Sequence, residues 1–162
     1  MEFPHIWIEK QYRADCLAYT AKATGMRITY DEGLDPELIK KTDELIAYLR
    51  KRYFFPVRIN IAVTNHRGYA SPEDGHKYYG IFYHNVDVCP KRKIYPRIAV
   101  AGAIWKHLTI EDVLFTLLHE LTHYFQWFFD EEKYRSDRRL EREANLWANS
   151  ILYYFNKPKE VL

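Results

Sequence analysis

The sequence has only two cysteines, Cys16 and Cys89, among its 162 residues. They could form at most one disulfide and lack the paired CxxC spacing of a thiolate zinc site, which excludes a disulfide-stapled scaffold and a zinc ribbon. The first ten residues lack the basic region, the long apolar stretch and the small-residue cleavage site of a secretory signal. We therefore expect a cytoplasmic protein in a reducing compartment.

Neither sign of charge dominates the chain. Its 24 basic and 22 acidic residues leave a formal net charge of +2, which predicts neither a nucleic-acid nor a membrane partner. The most apolar segment, residues 113–129, is only marginally long enough to span a membrane, and it carries His119, Glu120 and His123 near its middle. We expect this segment to be a buried core helix.

Internal repeats, low-complexity runs and a Pro/Gly/Ser-rich linker are all absent from the sequence. The hydrophobic fraction of 48% and the aromatic fraction of 17% differ strongly from the composition of disordered chains. The length allows one domain with a substantial core and is too short for two. We expect a single domain over residues 1–162, in which residues 1–33 are a candidate N-terminal extension.

Hydrophobic periodicity predicts an α+β fold, in which a small sheet of three or more strands packs on two C-terminal helices. The predicted helices cover residues 9–23, 36–52, 110–129 and 137–155, and the predicted strands cover residues 57–63, 78–84 and 97–104, with a loop over 65–75. Thr109, with Asp112 three residues later, forms a capping signature ahead of the third helix.

The third predicted helix contains the motif HExxH, formed by His119, Glu120 and His123. A rotation of about 100° per residue places these three side chains on one narrow stripe, so both imidazoles can bind one metal ion with the carboxyl group beside them. In a shuffled chain of this composition the motif would occur about 0.02 times. The motif therefore predicts a catalytic zinc site.

A catalytic zinc site takes three protein ligands and leaves a fourth position to water. No histidine follows His123 in the chain, so the third ligand must be a carboxylate. On the last predicted helix, Glu141 and Asn145 lie one turn apart on the same face. Glu143 points about 160° away from Asn145 and is expected to face solvent. These positions predict Glu141 as the third ligand.

The HELTH motif, followed after 17 residues by Glu141-Arg-Glu-Ala-Asn145, resembles the gluzincin metallopeptidases. Their pattern is HExxH and then E-x-x-A/S-D/N on the next helix. The resemblance implies that His119, His123 and Glu141 bind Zn²⁺ and that Glu120 is the general base. It also implies that Asn145 is hydrogen-bonded to a zinc-binding imidazole, and that it orients the ring with less added basicity than an aspartate would.

The order of helix, small sheet and zinc helix is similar to several compact zincins, namely minimal gluzincins, ImmA/IrrE regulators and SprT-like domains. SprT-like proteins take a later histidine as their third ligand, which this chain lacks. The resemblance to ImmA/IrrE proteins is closer, although their usual DNA-binding helices have no evident counterpart here. The resemblance covers residues 109–148 and implies a zinc metallopeptidase, an endopeptidase that acts on a peptide or protein substrate.

Peptide hydrolysis also needs a donor that stabilises the tetrahedral oxyanion. Tyr134, between the two metal helices, is a candidate for this role, and His66, His76 and His84 have no assigned role. An extended substrate is expected to add as a strand to a sheet edge, and residues 97–104, directly ahead of the zinc helix, are the expected edge.

The leading alternative is a catalytically silent or highly specific zinc-binding regulator, which would use the same ligands to hold a fold that binds a partner. Glu120 favours the enzyme, because a purely structural site has no use for a carboxylate beside an open position. A di-iron bundle is excluded because its second E-x-x-H unit, Glu73 to His76, falls in the predicted loop. Only scattered basic triplets support a nucleic-acid module. The sequence does not predict the oligomeric state.

Overall fold

Four strands form a mixed sheet in the computed structural model, which describes residues 5–13, 23–84, 94–131 and 135–158. In chain order the strands are β1 (Met26–Tyr30), β2 (Ile59–Thr64), β3 (Tyr69–Ala70), β4 (Lys77–Tyr78), β5 (Gly80–Tyr83) and β6 (Arg97–Ala101). The sheet order is β1-β2-β6-β5, in which β5 runs antiparallel to β6 and the other pairs are parallel. Strands β3 and β4 pair separately as a short antiparallel hairpin.

Strand β2 has the alternation of buried and less buried residues that is typical of the strand predicted over residues 57–63. Ile59, Ile61 and Val63 are buried, and the residues between them are half-buried. This pattern is typical of a strand that has one face packed on a core. The predicted α+β class is confirmed.

Several predicted strand boundaries are wrong. Strand β2 covers residues 59–64 and not 57–63, and β6 ends at Ala101 and not at residue 104. The segment predicted as one strand over residues 78–84 is divided between β4 and β5, because Tyr78 pairs with Tyr69 of the hairpin whereas Gly80 pairs with Val100 of the sheet. The predicted loop over residues 65–75 contains β3. Strand β1 has no counterpart among the predicted elements.

Three α-helices are present in the described residues: α1 (Pro36–Arg52), α2 (Ile110–Phe128) and α3 (Asp137–Asn156). The helices predicted over residues 36–52, 110–129 and 137–155 differ from these bounds by no more than one residue. Helix α1 begins with Pro36, whose missing N–H would have no partner within the helix, and the Asp35 carboxylate accepts the N–H of Glu37 at 2.8 Å. Helix α3 begins after Ser136, whose side chain caps it in the same way.

The core lies between the sheet and the helices and includes the N-terminal segment of the chain. Trp7 is fully buried, packs against the rings of Phe55 and Phe125, and donates its Nε1–H to Oγ1 of Thr122 in α2 at 3.0 Å. The described parts of residues 1–33 therefore contribute both this core side chain and β1 to the fold.

Some predictions fall outside the described residues, namely those on Cys16, Cys89, Tyr134 and most of the helix predicted over residues 9–23. Within that predicted helix, Lys10–Tyr12 forms one 3₁₀ turn. Of the helices in the described ranges, none combines the length and apolarity that crossing a membrane requires.

Candidate metal centre

Helix α2 carries the two histidines of the motif and is fixed at its N-terminus by the predicted capping box. The Thr109 Oγ1 accepts the Asp112 N–H at 3.2 Å, and the Asp112 carboxylate accepts the Thr109 N–H at 2.9 Å. The helix packs against β5, β6 and α3, and most of its apolar side chains are buried. Rotation of α2 would expose this apolar surface, so its packing fixes the direction in which His119 and His123 point.

Three side chains converge where α2 meets α3. The Nε2 atoms of His119 and His123 are 3.1 Å apart. One carboxylate oxygen of Glu141 lies 3.1 Å from the His119 Nε2, and the other lies 2.8 Å from the His123 Nε2. One ligand atom from each residue lies within 4.8 Å of the others, which is the geometry of a group that could hold a metal ion. The structure therefore brings together the three residues predicted as ligands.

The Nδ1 atom of each imidazole, which points away from the cluster, faces an amide oxygen. The Nδ1 of His119 lies 2.9 Å from the Oδ1 of Asn145, the pairing that the sequence resemblance implies. The Nδ1 of His123 lies 2.7 Å from the Oε1 of Gln126. An amide oxygen only accepts hydrogen bonds, so each Nδ1 carries the hydrogen and each neutral ring presents its Nε2 lone pair to the cluster.

Gln126 was not identified from the sequence. It is fully buried, and it lies three residues after His123 on the same side of α2. A signal for it existed, because an amide in the apolar end of a core helix must have hydrogen-bond partners. Its position after the second histidine could therefore have pointed to that imidazole.

The prediction that Glu143 faces solvent is wrong. Its carboxylate accepts a hydrogen bond from the Gln126 Nε2 at 3.0 Å and forms an ion pair with Arg135. The helical projection of α3 places Glu143 away from Asn145, as predicted, but the end of α2 and the segment before α3 cover that side of the helix. The carboxylate is therefore half-buried between the Gln126 amide, which donates to it, and the Arg135 guanidinium, which neutralises its charge.

Glu120 projects beside the cluster and is only 8% exposed. Burial raises the pKa of its carboxyl group above the ordinary value, although the nearby His123 and His119 act in the opposite direction. Its neighbour across the cleft is Gly80 of β5, whose missing side chain leaves room for the Glu120 stem.

The electrostatics of the cluster stabilise a positive charge among its three members. When the rings of His119 and His123 are protonated, hydrogen bonds from their Nε2 atoms hold the pKa of Glu141 well below its usual range. Burial alone would lower the pKa of His123, but its hydrogen bonds to Glu141 and Gln126 and the negative charge of Glu120 outweigh burial and raise it. Both directions indicate that the converging lone pairs attract a proton or another cation.

A groove of about 540 Å³ opens onto the cluster. One wall is formed by α2 and Glu141, and the other by β5 and the hairpin; the lining side chains include Tyr69, Tyr78, Phe82 and His84. Of the histidines that had no assigned role, His84 therefore lies at the groove, whereas His66 packs against Tyr69 and His76 lies in the exposed turn of the hairpin.

The prediction that residues 97–104 form the sheet edge beside the site is wrong. Strand β6 lies inside the sheet between β2 and β5, because Arg97 pairs with both Asn60 and Tyr83. The edge strand that lines the groove is β5.

Comparison of the sequence with models of known protein families and with curated proteins, and of the structure with solved structures, returned no match.

Proposed function

We propose that this chain is a zinc-dependent metallopeptidase of the gluzincin type, in which Glu120 is the general base. One observation carries the proposal. The Nε2 lone pairs of His119 and His123 and the carboxylate of Glu141 converge at one end of a groove that the buried carboxyl group of Glu120 also lines. The arrangement of a mixed sheet, a motif helix and a following glutamate-bearing helix supports a zincin-like fold.

The donor set fits zinc. Each imidazole is held in the tautomer whose Nε2 can bind a metal, and two imidazole nitrogens with one carboxylate are a ligand set that zinc takes in catalytic sites. Three such lone pairs within about 3 Å of one another would repel without a cation or a shared proton between them. The residues that would hold the metal are therefore His119, His123 and Glu141.

Zinc held there would polarise a substrate carbonyl and lower the pKa of a water molecule toward neutrality. The carboxylate of Glu120 takes a proton from the attacking water and then gives it to the leaving amine. Burial favours the first step, because a carboxyl group with a raised pKa takes up a proton more readily than an exposed one.

The edge of β5 supports a peptide or protein substrate. The Ala101 N–H donates to the Tyr79 carbonyl at 2.8 Å, and bonded and outward positions alternate along an antiparallel pair. The backbone N–H and C=O of Gly80 and Phe82 therefore point away from β6. A peptide lying along the groove could pair with them as an added strand.

The test compares the wild-type protein with Glu120→Gln, which keeps the size of the side chain but cannot accept the proton. We expect one zinc per chain in both never-chelated proteins, and hydrolysis of a diverse peptide library that is lower by at least about 100-fold in the variant. Elemental analysis and mass spectrometry of the products provide the two measurements. Glu44→Gln, on the exposed side of α1, is the matched control and should behave like the wild type.

Absence of stoichiometric zinc from the wild-type protein, or equal hydrolysis by the wild type and Glu120→Gln, would contradict the proposal. Zinc binding with no cleavage by either protein would favour the regulator that uses the same ligands to hold a partner-binding fold.

A further inference from the structure

The buried side chain of Gln126, near the end of α2, connects the three-residue cluster to helix α3. The Gln126 amide oxygen faces the Nδ1 of His123 at 2.7 Å. Its Nε2 donates to the backbone carbonyl of Leu140 at 3.0 Å and to the carboxylate of Glu143 at 3.0 Å. The side chain is fully buried, and these three contacts are the hydrogen bonds that its polar atoms make within the described residues.

The partners of the amide allow only one orientation of it. A carbonyl and a carboxylate both need donors, so the amide NH₂ must face Leu140 and Glu143, and the amide oxygen must face His123. A reversed amide would place its oxygen against two acceptors at about 3 Å, which is strongly unfavourable in a buried position. This orientation puts the hydrogen of the His123 ring on Nδ1 and the lone pair on Nε2.

The carboxylate of Glu143 is itself held in place. Both of its oxygens accept hydrogen bonds from the guanidinium of Arg135, one of them at 3.1 Å. The same guanidinium lies 2.8 Å from the carboxylate of Glu131, just after α2. A two-point contact between guanidinium and carboxylate fixes the plane of the acceptor as well as its position.

We propose that Gln126 is a positioning residue for the metal centre, oriented by Glu143 and Arg135, and that it fixes His123 in its metal-binding tautomer. Because its second contact is the Leu140 carbonyl, the same amide also fixes the turn of α3 that carries Glu141, the next residue. This inference rests on the proposed function. The competing explanation is that Gln126 only cross-links two helices.

The first test removes the hydrogen bonds of the amide while keeping the length of the side chain, in Gln126→Met. In metal-free protein at alkaline pH, nitrogen NMR of the imidazoles should show His123 fully in the Nδ1–H tautomer in the wild type and in a mixture in the variant, with His119 unchanged. Zinc affinity, measured by competition with a chromophoric chelator, should fall by about 10–100-fold.

Thr122→Val is the control for lost stability. It removes a buried hydroxyl of the same helix that bonds Trp7 and the Leu118 carbonyl and makes none of the hydrogen bonds described for the cluster. We expect it to lower the thermal midpoint without changing the tautomer of His123, and to leave zinc affinity within about 3-fold of the wild type.

A conservative exchange provides a rescue. Gln126→Glu alone places a carboxylate against that of Glu143, whereas the amide introduced by adding Glu143→Gln can donate to it. Both variants leave the Leu140 carbonyl without its donor, so both should be less stable than the wild type. Of these two variants, only the one that combines Gln126→Glu with Glu143→Gln should recover the Nδ1–H tautomer of His123. Its zinc affinity should be within about 3-fold of that of the wild type.

The inference is overturned if Gln126→Met leaves the tautomer and the zinc affinity of the wild type intact, or if zinc affinity follows thermal stability across all four variants. Failure of the proposed function has a different signature, namely wild-type protein that binds no zinc. The tautomer measurement uses metal-free protein, so it decides the role of Gln126 in either case.

Discussion

Gly80 of β5 lies so close to Glu120 of α2 that a Cβ atom at position 80 would be 2.9 Å from the Glu120 Cγ. The same Cβ would be 2.5 Å from the Cγ2 of Thr116, one turn earlier on the helix. Both distances are shorter than van der Waals contact, so the absence of a side chain at position 80 permits the observed position of Glu120, the proposed general base.

We therefore expect Gly80→Ala to displace Glu120 without disturbing His119, His123 or Glu141. Peptide hydrolysis should fall by at least about 10-fold, because small misplacements of catalytic groups are costly. Zinc affinity by chelator competition should stay within about 3-fold of the wild type, since the ligands come from other positions.

A second substitution tests the cause of this loss. Thr116→Ser removes the Cγ2 atom but keeps the hydroxyl that donates to the Asp112 carbonyl at 2.9 Å. Combined with Gly80→Ala, it should recover part of the lost activity, because the added methyl group can move toward the vacated space. If the double variant is no more active than Gly80→Ala, the steric explanation is wrong.

Local patterns predicted the three helices and the convergence of His119 and His123, because helical spacing is a short-range property. Glu141 was predicted from the absence of a later histidine and from its place on the next helix. The pairing of Asn145 with a motif imidazole was implied by the resemblance to the gluzincin pattern on two successive helices. These features depend on residues within one or two turns of each other, together with the packing of α2 on α3.

The features that were not predicted from the sequence depend on contacts between segments that are distant in the chain. The order of strands in a sheet depends on contacts between distant segments, so nothing local indicated that β6 is internal and β5 is the edge. Strand β1 is short and only Met26 in it is fully buried, which gives a weak alternation. Glu143 was misassigned because Arg135 and Gln126 reach it from outside its own helix.

Substitutions of Asn145 test how the hydrogen-bond acceptor at the His119 Nδ1 affects zinc affinity. Asn145→Asp should raise zinc affinity by up to about 10-fold, because a carboxylate accepts the Nδ1–H more strongly than an amide oxygen does. Asn145→Leu should lower it by about 10–100-fold, because the ring loses its fixed tautomer. Chelator competition measures both; equal affinities for the two variants would mean that the 2.9 Å contact has no influence on the centre.

Tyr124 stabilises the fold rather than the site. Its fully buried hydroxyl donates to the Val57 carbonyl at 2.5 Å and accepts the Val57 N–H at 2.9 Å. Tyr124→Phe leaves both backbone groups unpaired, so we expect the free energy of unfolding of the metal-free protein to fall by about 2–4 kcal/mol in urea titrations. Tyr30→Phe, which removes a phenol bonded to Asp43 near the surface, should cost about 1 kcal/mol or less. Similar losses in the two variants would contradict this assignment.

The outward backbone groups of Gly80 and Phe82 can be tested from the substrate side, without changing the protein. Once a cleaved peptide is known, versions methylated at one backbone nitrogen at a time can be compared by kcat/KM. A peptide that pairs with β5 directs alternate N–H groups toward the edge strand, so methylation should be costly at every second position and tolerated between them. Each costly position should lower kcat/KM by about 10-fold or more, because a hydrogen bond is lost and the methyl group meets the strand. Losses that do not alternate would show that the substrate enters the groove without adding to the sheet.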